Sequence, residues 1–203
     1  MSFSGLSKLP LLLASQSPTR YKLLKDAGLS VISCPALVDE TEIQKSLKAQ
    51  NAKPSHASET IADAKGMKIS RSNTDILVIA ADQLLTCGSM WFEKPRNFEQ
   101  AYAQLTALSG KTHHLWTSVS LWYEGNRIWH HTDQSDMTMY DLTKDDIDFY
   151  LEHAGDNIFA CVGSYQVEGL GLRLFRHIKG DIFSIQGLPL LPLLSALRFQ
   201  VKS

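Results

Sequence analysis

The sequence has few of the features that mark disulfide-stabilised, zinc-binding or membrane proteins. It contains only three cysteines in 203 residues. Cys34, Cys87 and Cys161 lie too far apart for a CxxC pair or a zinc-finger pattern. The main apolar runs, 9–14 and 188–197, are short or interrupted by proline, whereas a membrane-spanning helix needs about 20 apolar residues. We therefore expect a soluble protein of the reducing cytoplasm that does not bind membranes.

The chain also lacks an excess of charge of either sign. Twenty Lys and Arg residues oppose 21 Asp and Glu residues, which gives a formal net charge of −1. Proteins that bind nucleic acid polymers usually carry a strongly basic surface, so no nucleic acid polymer is expected as a partner. A small anionic ligand held by two or three cations remains compatible with this balance.

Common nucleotide-binding and hydrolase motifs are missing as well. The sequence contains neither G-x-G-x-x-G nor G-x-S-x-G. Residues 109–112 read S-G-K-T, but Leu105 stands where a P-loop needs its first glycine, and a strand is predicted to follow. Adjacent histidines at 113–114 and 130–131 point to opposite faces of a strand and cannot easily share a metal. Surface or core-edge positions are expected for them.

Strands and helices alternate along the chain. The apolar run 9–14 predicts a buried strand, and Ser17 with Pro18 predicts the start of a helix that ends at Gly28. The most apolar strand is predicted over Ile76–Ala81, ending at Asp82. The other predicted elements are a strand over 29–34, a polar stretch over 41–59, helices over 55–69, 97–110 and 143–154, hairpins over 115–140 and 172–185, and a helix from 189.

This alternation, with hairpins added, predicts an α/β fold: a mixed twisted sheet with flanking helices. A chain of 203 residues fits one domain, here taken as 1–203, with two lobes.

Carboxylates at strand ends are the first candidates for chemistry. Asp82 follows the most apolar strand, Glu40 follows a shorter strand, and Glu168 lies in a glycine-rich segment. In α/β proteins ligands bind at the carboxyl ends of strands. Carboxylates there suit divalent-metal ligation or general-base catalysis on water.

Cationic and hydroxyl side chains near a helix start form a second group. Arg20 lies in the first turn of the predicted helix, close to Ser15 and Ser17, where phosphate is readily bound. Lys65 and Lys94 can add two further positive charges. These residues indicate a metal-assisted hydrolase acting on a phosphate ester or anhydride.

Eight stretches, taken in order, resemble the Maf family of nucleoside triphosphate pyrophosphatases along nearly the whole chain. They are LLASQSPTR at 12–20, VDE at 38–40, ADAK at 62–65, AADQ at 80–83, EKP at 93–95, LSGKTH at 108–113, GSYQVEG at 163–169 and GLPL at 187–190. The resemblance implies the fold shared by Maf and inosine-triphosphatase proteins. It also implies a homodimeric house-cleaning enzyme that needs a divalent cation, Mg²⁺ or Mn²⁺. Such an enzyme splits the α–β phosphoanhydride of nucleoside triphosphates, giving monophosphate and pyrophosphate.

Roles follow from the resemblance position by position. Asp82 corresponds to the general base, and Glu40 to an acidic position that helps to bind metal, so that Glu40 and Asp82 form the implied metal-binding pair. The implied phosphate-binding residues are Ser15, Arg20, Lys65 and Lys94.

Three departures from the commonest family pattern concern the choice of base. Thr19, Gln83 and Glu168 stand where Arg, Thr and Gln are usual, and the branch that accepts 7-methyl-GTP resembles this chain there. A carboxylate at 168 can accept both N1–H and the N2 amine of guanine, whereas uracil and thymine would present a repulsive carbonyl. The positive charge of 7-methylguanine favours a carboxylate and an aromatic face such as Tyr165. We therefore expect 7-methyl-GTP to be preferred.

Other interpretations stay open at this point. Glu168 can point to solvent, with the base read by the backbone. The enzyme can instead be one of the same family that prefers dTTP or UTP. The chain can also be a catalytically weak nucleotide-binding regulator of cell division, or a related hydrolase of broad specificity.

Overall fold

The computed structural model describes residues 9–200, so residues 1–8 and 201–203 of the predicted domain lie outside the described residues. The strands are β1 Leu11–Leu13, β2 Val31–Ser33, β3 Leu77–Cys87, β4 Met90–Phe92, β5 Thr112–Tyr123, β6 Asn126–Met139 and β7 Phe175–Lys179. The helices are α1 Pro18–Asp26, α2 Glu40–Ala49, α3 Pro54–Ser72, α4 Phe98–Leu108, α5 Lys144–Ala154, α6 Ile182–Ile185 and α7 Leu190–Gln200. Short 3₁₀ segments cover Gly155–Ala160, Val162–Ser164 and Leu170–Leu174.

Within the described residues, the strands form one seven-stranded mixed sheet. Its order is β2-β1-β3-β5-β6-β7, and β4 pairs with β3. Strand β1 runs parallel to both β2 and β3, while β3–β4 and β6–β7 are antiparallel pairs. The predicted α/β class, with a mixed sheet and flanking helices, is confirmed.

The chain divides into two compact units. The first unit comprises the described residues up to Asp82, with Thr117–Asp133 and the residues from Gly187 onward; the second comprises Gln83–Trp116 and Gln134–Gln186. Each unit has buried apolar side chains of its own. In the first they include Leu12, Ala14, Ile69, Val78, Ala80 and Trp122. In the second they include Leu85, Leu105, Leu108, Leu115, Met137, Tyr150, Ile158, Leu174 and Phe175.

Helix α3 lies directly against a tryptophan in the first unit. A Cβ atom on Gly66 would stand 2.3 Å from both Cδ1 and Nε1 of Trp122. The indole is held in turn, because its Nε1 donates a hydrogen bond to Ser120 Oγ at 2.9 Å. Position 66 therefore accepts no side chain while the helix keeps this place.

Local capping signals confirm the predicted first helix. Ser17 Oγ accepts a hydrogen bond from the backbone N–H of Arg20 at 3.3 Å, and Pro18 begins α1. After the helix ends, Gly28 has a φ of +80°, the left-handed conformation that favours glycine. Among residues 9–200, no helix combines the length and apolar character needed to cross a membrane.

The strand that carries Asp82 is longer than predicted. Instead of ending there, β3 continues to Cys87, because Leu84 and Leu85 are buried and the strand goes on to pair with β4. The polar stretch predicted over 41–59 also contains structure, since α2 begins at Glu40.

The hairpin predicted over 172–185 is wrong. Strand β7 pairs with β6, and Asp181 then caps the short helix α6. Its Oδ1 accepts hydrogen bonds from the backbone N–H groups of Phe183 and Ser184, both at 3.0 Å. Aspartate at an N-cap favours the helix over a returning strand.

Candidate active site

A lysine joins two carboxylates in the first unit. Lys65 Nζ lies 2.7 Å from Asp82 Oδ1 and 2.9 Å from Glu40 Oε1. The side chains of Lys65 and Asp82 are 7% and 8% exposed, whereas that of Glu40 is 45% exposed. The buried ammonium group of Lys65 is thus shared by the buried carboxylate of Asp82 and the half-exposed carboxylate of Glu40. Glu40 faces solvent, where a ligand can approach.

The elements of the first unit explain how these groups converge. On α3, Lys65 belongs to the buried face together with Ile61, Ala62, Gly66 and Ile69, a spacing typical of one helical face. The Lys65 side chain is therefore directed towards the sheet. Its buried ammonium group needs anionic partners, because a buried unpaired charge is very unfavourable.

Strands β1 and β3 bring Ser15 and Asp82 to the same edge. They are parallel, with Leu13 paired to Ile79, so that the residues following Leu13 run beside the last residues before Asp82. Glu40 is placed separately, as the first residue of α2, whose N-cap Asp39 accepts a hydrogen bond from Glu42 N at 2.9 Å.

Arg20 belongs to the same site. Its Nε donates to Gly187 O at 2.7 Å, and its Nη1 donates to Ala81 O at 3.0 Å and to Ser15 Oγ at 3.3 Å. Burial lowers the pKa of the Arg20 guanidinium, and the negative charges of Asp82 and Glu40 oppose that shift. The guanidinium is therefore fixed in direction by backbone oxygens and lies within electrostatic reach of both carboxylates.

The turn between β1 and α1 is held by the Ser15 hydroxyl. Ser15 is buried, and its Oγ accepts hydrogen bonds from Ser17 N at 3.1 Å and from Arg20 Nη1. Both bonds use the oxygen as acceptor, so the O–H can donate to a ligand oxygen. Thr19, half-buried, follows in the first turn of α1. The structure thus brings Ser15, Arg20, Glu40, Lys65 and Asp82 together.

The other predicted site residues belong to the second unit. Gln83 is half-buried, and its Nε2 donates to the backbone oxygens of Ser184 and Ile185, both at 3.1 Å. This amide therefore links β3 to α6. Lys94, just after β4, and Glu168, in the turn before the last 3₁₀ segment, are both exposed.

Two buried aromatic side chains were not expected from the sequence. His113 Nε2 lies 2.8 Å from Tyr165 Oη, and the Tyr165 ring packs edge-on against Phe175 with centroids 4.8 Å apart. His113 is fully buried, which corrects the surface or core-edge prediction. Tyr165 belongs to the core cluster of this unit, not to a face offered to a base. Both residues fall in the stretches that resemble the Maf family, but no local pattern pairs them.

The carboxylate pair of the first unit suits a divalent cation. Glu40 and Asp82 already converge on one cationic group, Lys65, and Mg²⁺ is usually held by one or two carboxylates plus substrate oxygens. Across the described part of the chain, no group of three or more His, Cys, Asp or Glu side chains could hold a metal ion. A cation here would therefore depend on these two carboxylates and on oxygens from substrate and water.

The mixed sheet and this site define an α/β protein in which cationic and anionic side chains lie together at one edge of parallel strands. The family described as Maf-like protein matches residues 10–200, and the chain belongs to it. It is 41% identical over 187 residues to the "Nucleoside triphosphate pyrophosphatase" of Paramagnetospirillum magneticum, covering 92% of this chain and 96% of that protein. It is 44% identical over 188 residues to the "7-methyl-GTP pyrophosphatase" of Brucella suis biovar 1, covering 93% and 94%.

A solved structure titled as a HAM1 protein from Coxiella burnetii overlaps 67% of this chain and 75% of its own, with 17% sequence identity and a TM-score of 0.40.

Proposed function

We propose that this chain is a nucleoside triphosphate pyrophosphatase, which hydrolyses the α–β phosphoanhydride to a nucleoside monophosphate and pyrophosphate. The observation that carries the proposal is the Glu40–Lys65–Asp82 cluster, with Arg20 beside it. It offers a carboxylate to take a proton and cations to neutralise phosphate charge. Relatives named for this activity align over more than nine-tenths of the chain, which supports the same reading.

In this proposal Asp82 is the general base. Its carboxylate accepts the proton of a water molecule that attacks phosphorus, while Lys65 holds Oδ1 and fixes the direction of the group. Lys65, Arg20 and the Ser15 hydroxyl bind the phosphates and stabilise the charge that develops on the leaving pyrophosphate. The phosphate-binding role of Lys94, in the second unit, rests on the family resemblance.

Glu40 and Asp82 are proposed to hold a divalent cation, Mg²⁺ or Mn²⁺. When bound, such an ion neutralises phosphate oxygens and lowers the energy of the developing negative charge. Both carboxylates lie within ion-pair distance of Lys65 Nζ, so a divalent cation bound by them would share their negative charge with Lys65. Carboxylate oxygens are ligands that suit Mg²⁺ and Mn²⁺, so this pair of residues fits either ion.

We further propose that 7-methyl-GTP is preferred over dTTP and UTP. Glu168 is exposed in a turn, where its carboxylate can accept the N1–H and N2 amine of a guanine ring. Thr19 and Gln83 accompany it in the family branch that takes this nucleotide. The Brucella suis relative, named for 7-methyl-GTP, is as similar to this chain as the relative with the general name.

One product analysis tests the activity. The purified protein is incubated with 7-methyl-GTP, GTP, ITP, dTTP and UTP, with Mg²⁺, Mn²⁺ or EDTA, and the products are separated by anion exchange. We expect nucleoside monophosphate and pyrophosphate as products, no products in the presence of EDTA, and the fastest turnover with 7-methyl-GTP. Formation of nucleoside diphosphate and orthophosphate would contradict the proposed reaction. Nucleotide binding without turnover would identify a regulator, and faster turnover of dTTP would reverse the proposed preference.

The resemblance also supports three proposals about context: a homodimer, a cytoplasmic location and a house-cleaning role against modified nucleotides. Light scattering on the purified protein tests the first, because a homodimer would have twice the chain mass of 22.6 kDa. Cell fractionation tests the second. The accumulation of modified nucleotides in cells that lack the protein tests the third.

A further inference from the structure

The loop that carries Glu168 is closed by a glycine. A Cβ atom on Gly171 would lie 2.4 Å from the backbone oxygen of Gln166, so the two backbones touch at this neck. Beyond the neck, Val167 is buried in the core, and Leu172 N donates to Gly169 O at 3.1 Å. Glu168 thus lies at the exposed tip of a tight loop whose direction is set at its base.

The residues that lead into the neck are held by different helices. Ser164 Oγ donates to Gln104 Oε1 of α4 at 2.8 Å. Gln166 N donates to Tyr150 Oη of α5 at 3.3 Å. Such contacts from separate elements over-determine the local backbone, which explains how Ser164 keeps a φ of +63°.

Between these two anchors, Tyr165 reaches the strand β5. Its Oη lies 2.8 Å from His113 Nε2, inside the core of the second unit. Within the described residues, His113 Nδ1 is buried without a hydrogen-bond partner. A buried imidazole with one nitrogen lacking a hydrogen bond is less favourable in a core than an apolar side chain of similar size. The hydrogen bond between Nε2 and Tyr165 is the interaction that an apolar side chain at position 113 could not make.

We propose that His113 is a positioning residue for base selectivity: through Tyr165 it fixes the loop so that Glu168 meets the purine edge. The inference rests on the proposed function, because it takes Glu168 as the group that reads the base. Neither His113 nor Tyr165 needs to touch the substrate. Both act by removing freedom from a carboxylate whose two hydrogen bonds require a defined direction.

The test compares variants that break the contact with one that keeps it. Tyr165→Phe removes the hydroxyl, and His113→Asn is too short to reach it, whereas the longer amide of His113→Gln reaches the place of Nε2. Tyr140→Phe, at an exposed tyrosine of the same unit, is the matched control. For each protein kcat and KM are measured with 7-methyl-GTP and dTTP, beside Glu168→Gln and the wild type.

We expect Tyr165→Phe and His113→Asn to lower the ratio of kcat/KM values, 7-methyl-GTP over dTTP, about fivefold, which corresponds to about 1 kcal/mol. The loss should fall on KM for 7-methyl-GTP, while dTTP kinetics stay close to wild type. His113→Gln and Tyr140→Phe should keep the wild-type ratio. Should Tyr165→Phe fail to fold, the contrast between Asn and Gln at position 113 decides.

Equal losses of kcat/KM with both nucleotides, or an unchanged ratio of kcat/KM values in Tyr165→Phe and His113→Asn, would overturn the positioning role. In that case a changed ratio in Glu168→Gln would leave the proposed function standing. If the wild type hydrolyses neither nucleotide, the proposed function is overturned. If the wild type hydrolyses both nucleotides equally well, the proposed base preference is overturned. In either case the positioning role of His113 is overturned with it.

Discussion

Lys65 Nζ lies 2.7 Å from Asp82 Oδ1, and both side chains are less than one-tenth exposed. Removing one partner of a buried pair leaves the other charge uncompensated, which usually costs about 3–5 kcal/mol. Lys65→Met should therefore lower the free energy of unfolding by about that amount. Urea titration followed by circular dichroism measures it.

The control for this prediction is Lys22→Met. Lys22 forms an ion pair with Asp26 on α1, but both side chains are mostly exposed, and exposed pairs contribute little. Its free energy of unfolding should stay close to wild type. Equal losses in Lys65→Met and Lys22→Met would show that burial of the Lys65–Asp82 pair carries no special stability.

Asp82→Asn should retain the fold, because Lys65 still has Glu40 as an ion-pair partner, and it should lose turnover. The amide oxygen can still accept a hydrogen bond from Lys65 but cannot take a proton from water, and general bases commonly contribute about 10²–10⁴-fold to rate. We expect kcat to fall within that range at saturating Mg²⁺, measured by coupled pyrophosphate release. Asp26→Asn, at an exposed acid of the same unit, is the control. Full activity in Asp82→Asn would remove this residue from the mechanism.

Gly187→Ala should weaken binding of pyrophosphate. Gly187 has a φ of +104°, where alanine is strained, and its backbone oxygen accepts the hydrogen bond from Arg20 Nε. A backbone shift at position 187 would move that oxygen and disturb the direction of a guanidinium proposed to bind phosphate. The inhibition constant of pyrophosphate should therefore rise about tenfold, or ~1.4 kcal/mol. Competition with substrate measures this constant.

Gly28→Ala separates this effect from backbone strain. Gly28 has a φ of +80°, but a Cβ there would meet nothing within 4 Å. Both substitutions should cost stability, because alanine is strained at positive φ. Only Gly187→Ala should change the inhibition constant; a similar change in Gly28→Ala would mean that Arg20 is not involved.

Stability should fall as the pH drops below about 6.5. Burial, aided by the neighbouring His114, lowers the pKa of His113 to about 3, whereas an unfolded chain binds this proton near pH 6.5. As the pH falls, the unfolded state binds a proton at His113 that the folded state does not bind. Between pH 7 and 5, this one group should remove about 2 kcal/mol of stability.

The histidine contribution is isolated by substitution. Urea titrations at pH 7 and pH 5 should give a smaller difference in His113→Gln than in the wild type, because glutamine does not titrate. His153→Gln, at an exposed histidine of the same unit, should leave the difference unchanged. An identical pH dependence in all three proteins would contradict the low pKa of His113.

Glu168→Gln should move the preference away from 7-methyl-GTP. A glutamine amide offers one donor and one acceptor, which suits uracil and thymine better than the two donors of guanine. The ratio of kcat/KM values for 7-methyl-GTP and dTTP should narrow or invert. Glu152→Gln, at an exposed acid of α5, should not change it, and an unchanged ratio in Glu168→Gln would mean that the backbone reads the base.

Local signals in the sequence were sufficient for the elements they control. Ser17, Pro18 and Gly28 delimit α1 as predicted, because capping and positive φ depend on a few adjacent residues. Asp82 was expected at the end of a strand, since a polar pair interrupts the apolar run. The strand continues because long-range packing of Leu84 and Leu85 outweighs that local break.

The site was only partly predictable for the same reason. Their charge and their places in the predicted elements made Glu40, Lys65 and Asp82 candidates, the family resemblance assigned their roles, and the structure brings their charged atoms together. The contact between His113 and Tyr165 joins residues 52 positions apart, and nothing in the neighbourhood of either one encodes it. Adjacent histidines in a strand indicate opposite faces, but not which of the two enters the core.

The missing side chain at Gly66 also sets a clearance. Trp122 fills the space that a methyl group would need, so α3 can pack this closely against the indole only with glycine at position 66. Lys65, the preceding residue of the chain, contacts Asp82 from the same helix. A methyl group at 66 would force the indole or the helix to shift, and a shift of the helix would change the distance between Lys65 and Asp82 without altering any charge. The proposed chemistry therefore depends on a residue that carries no functional group at all.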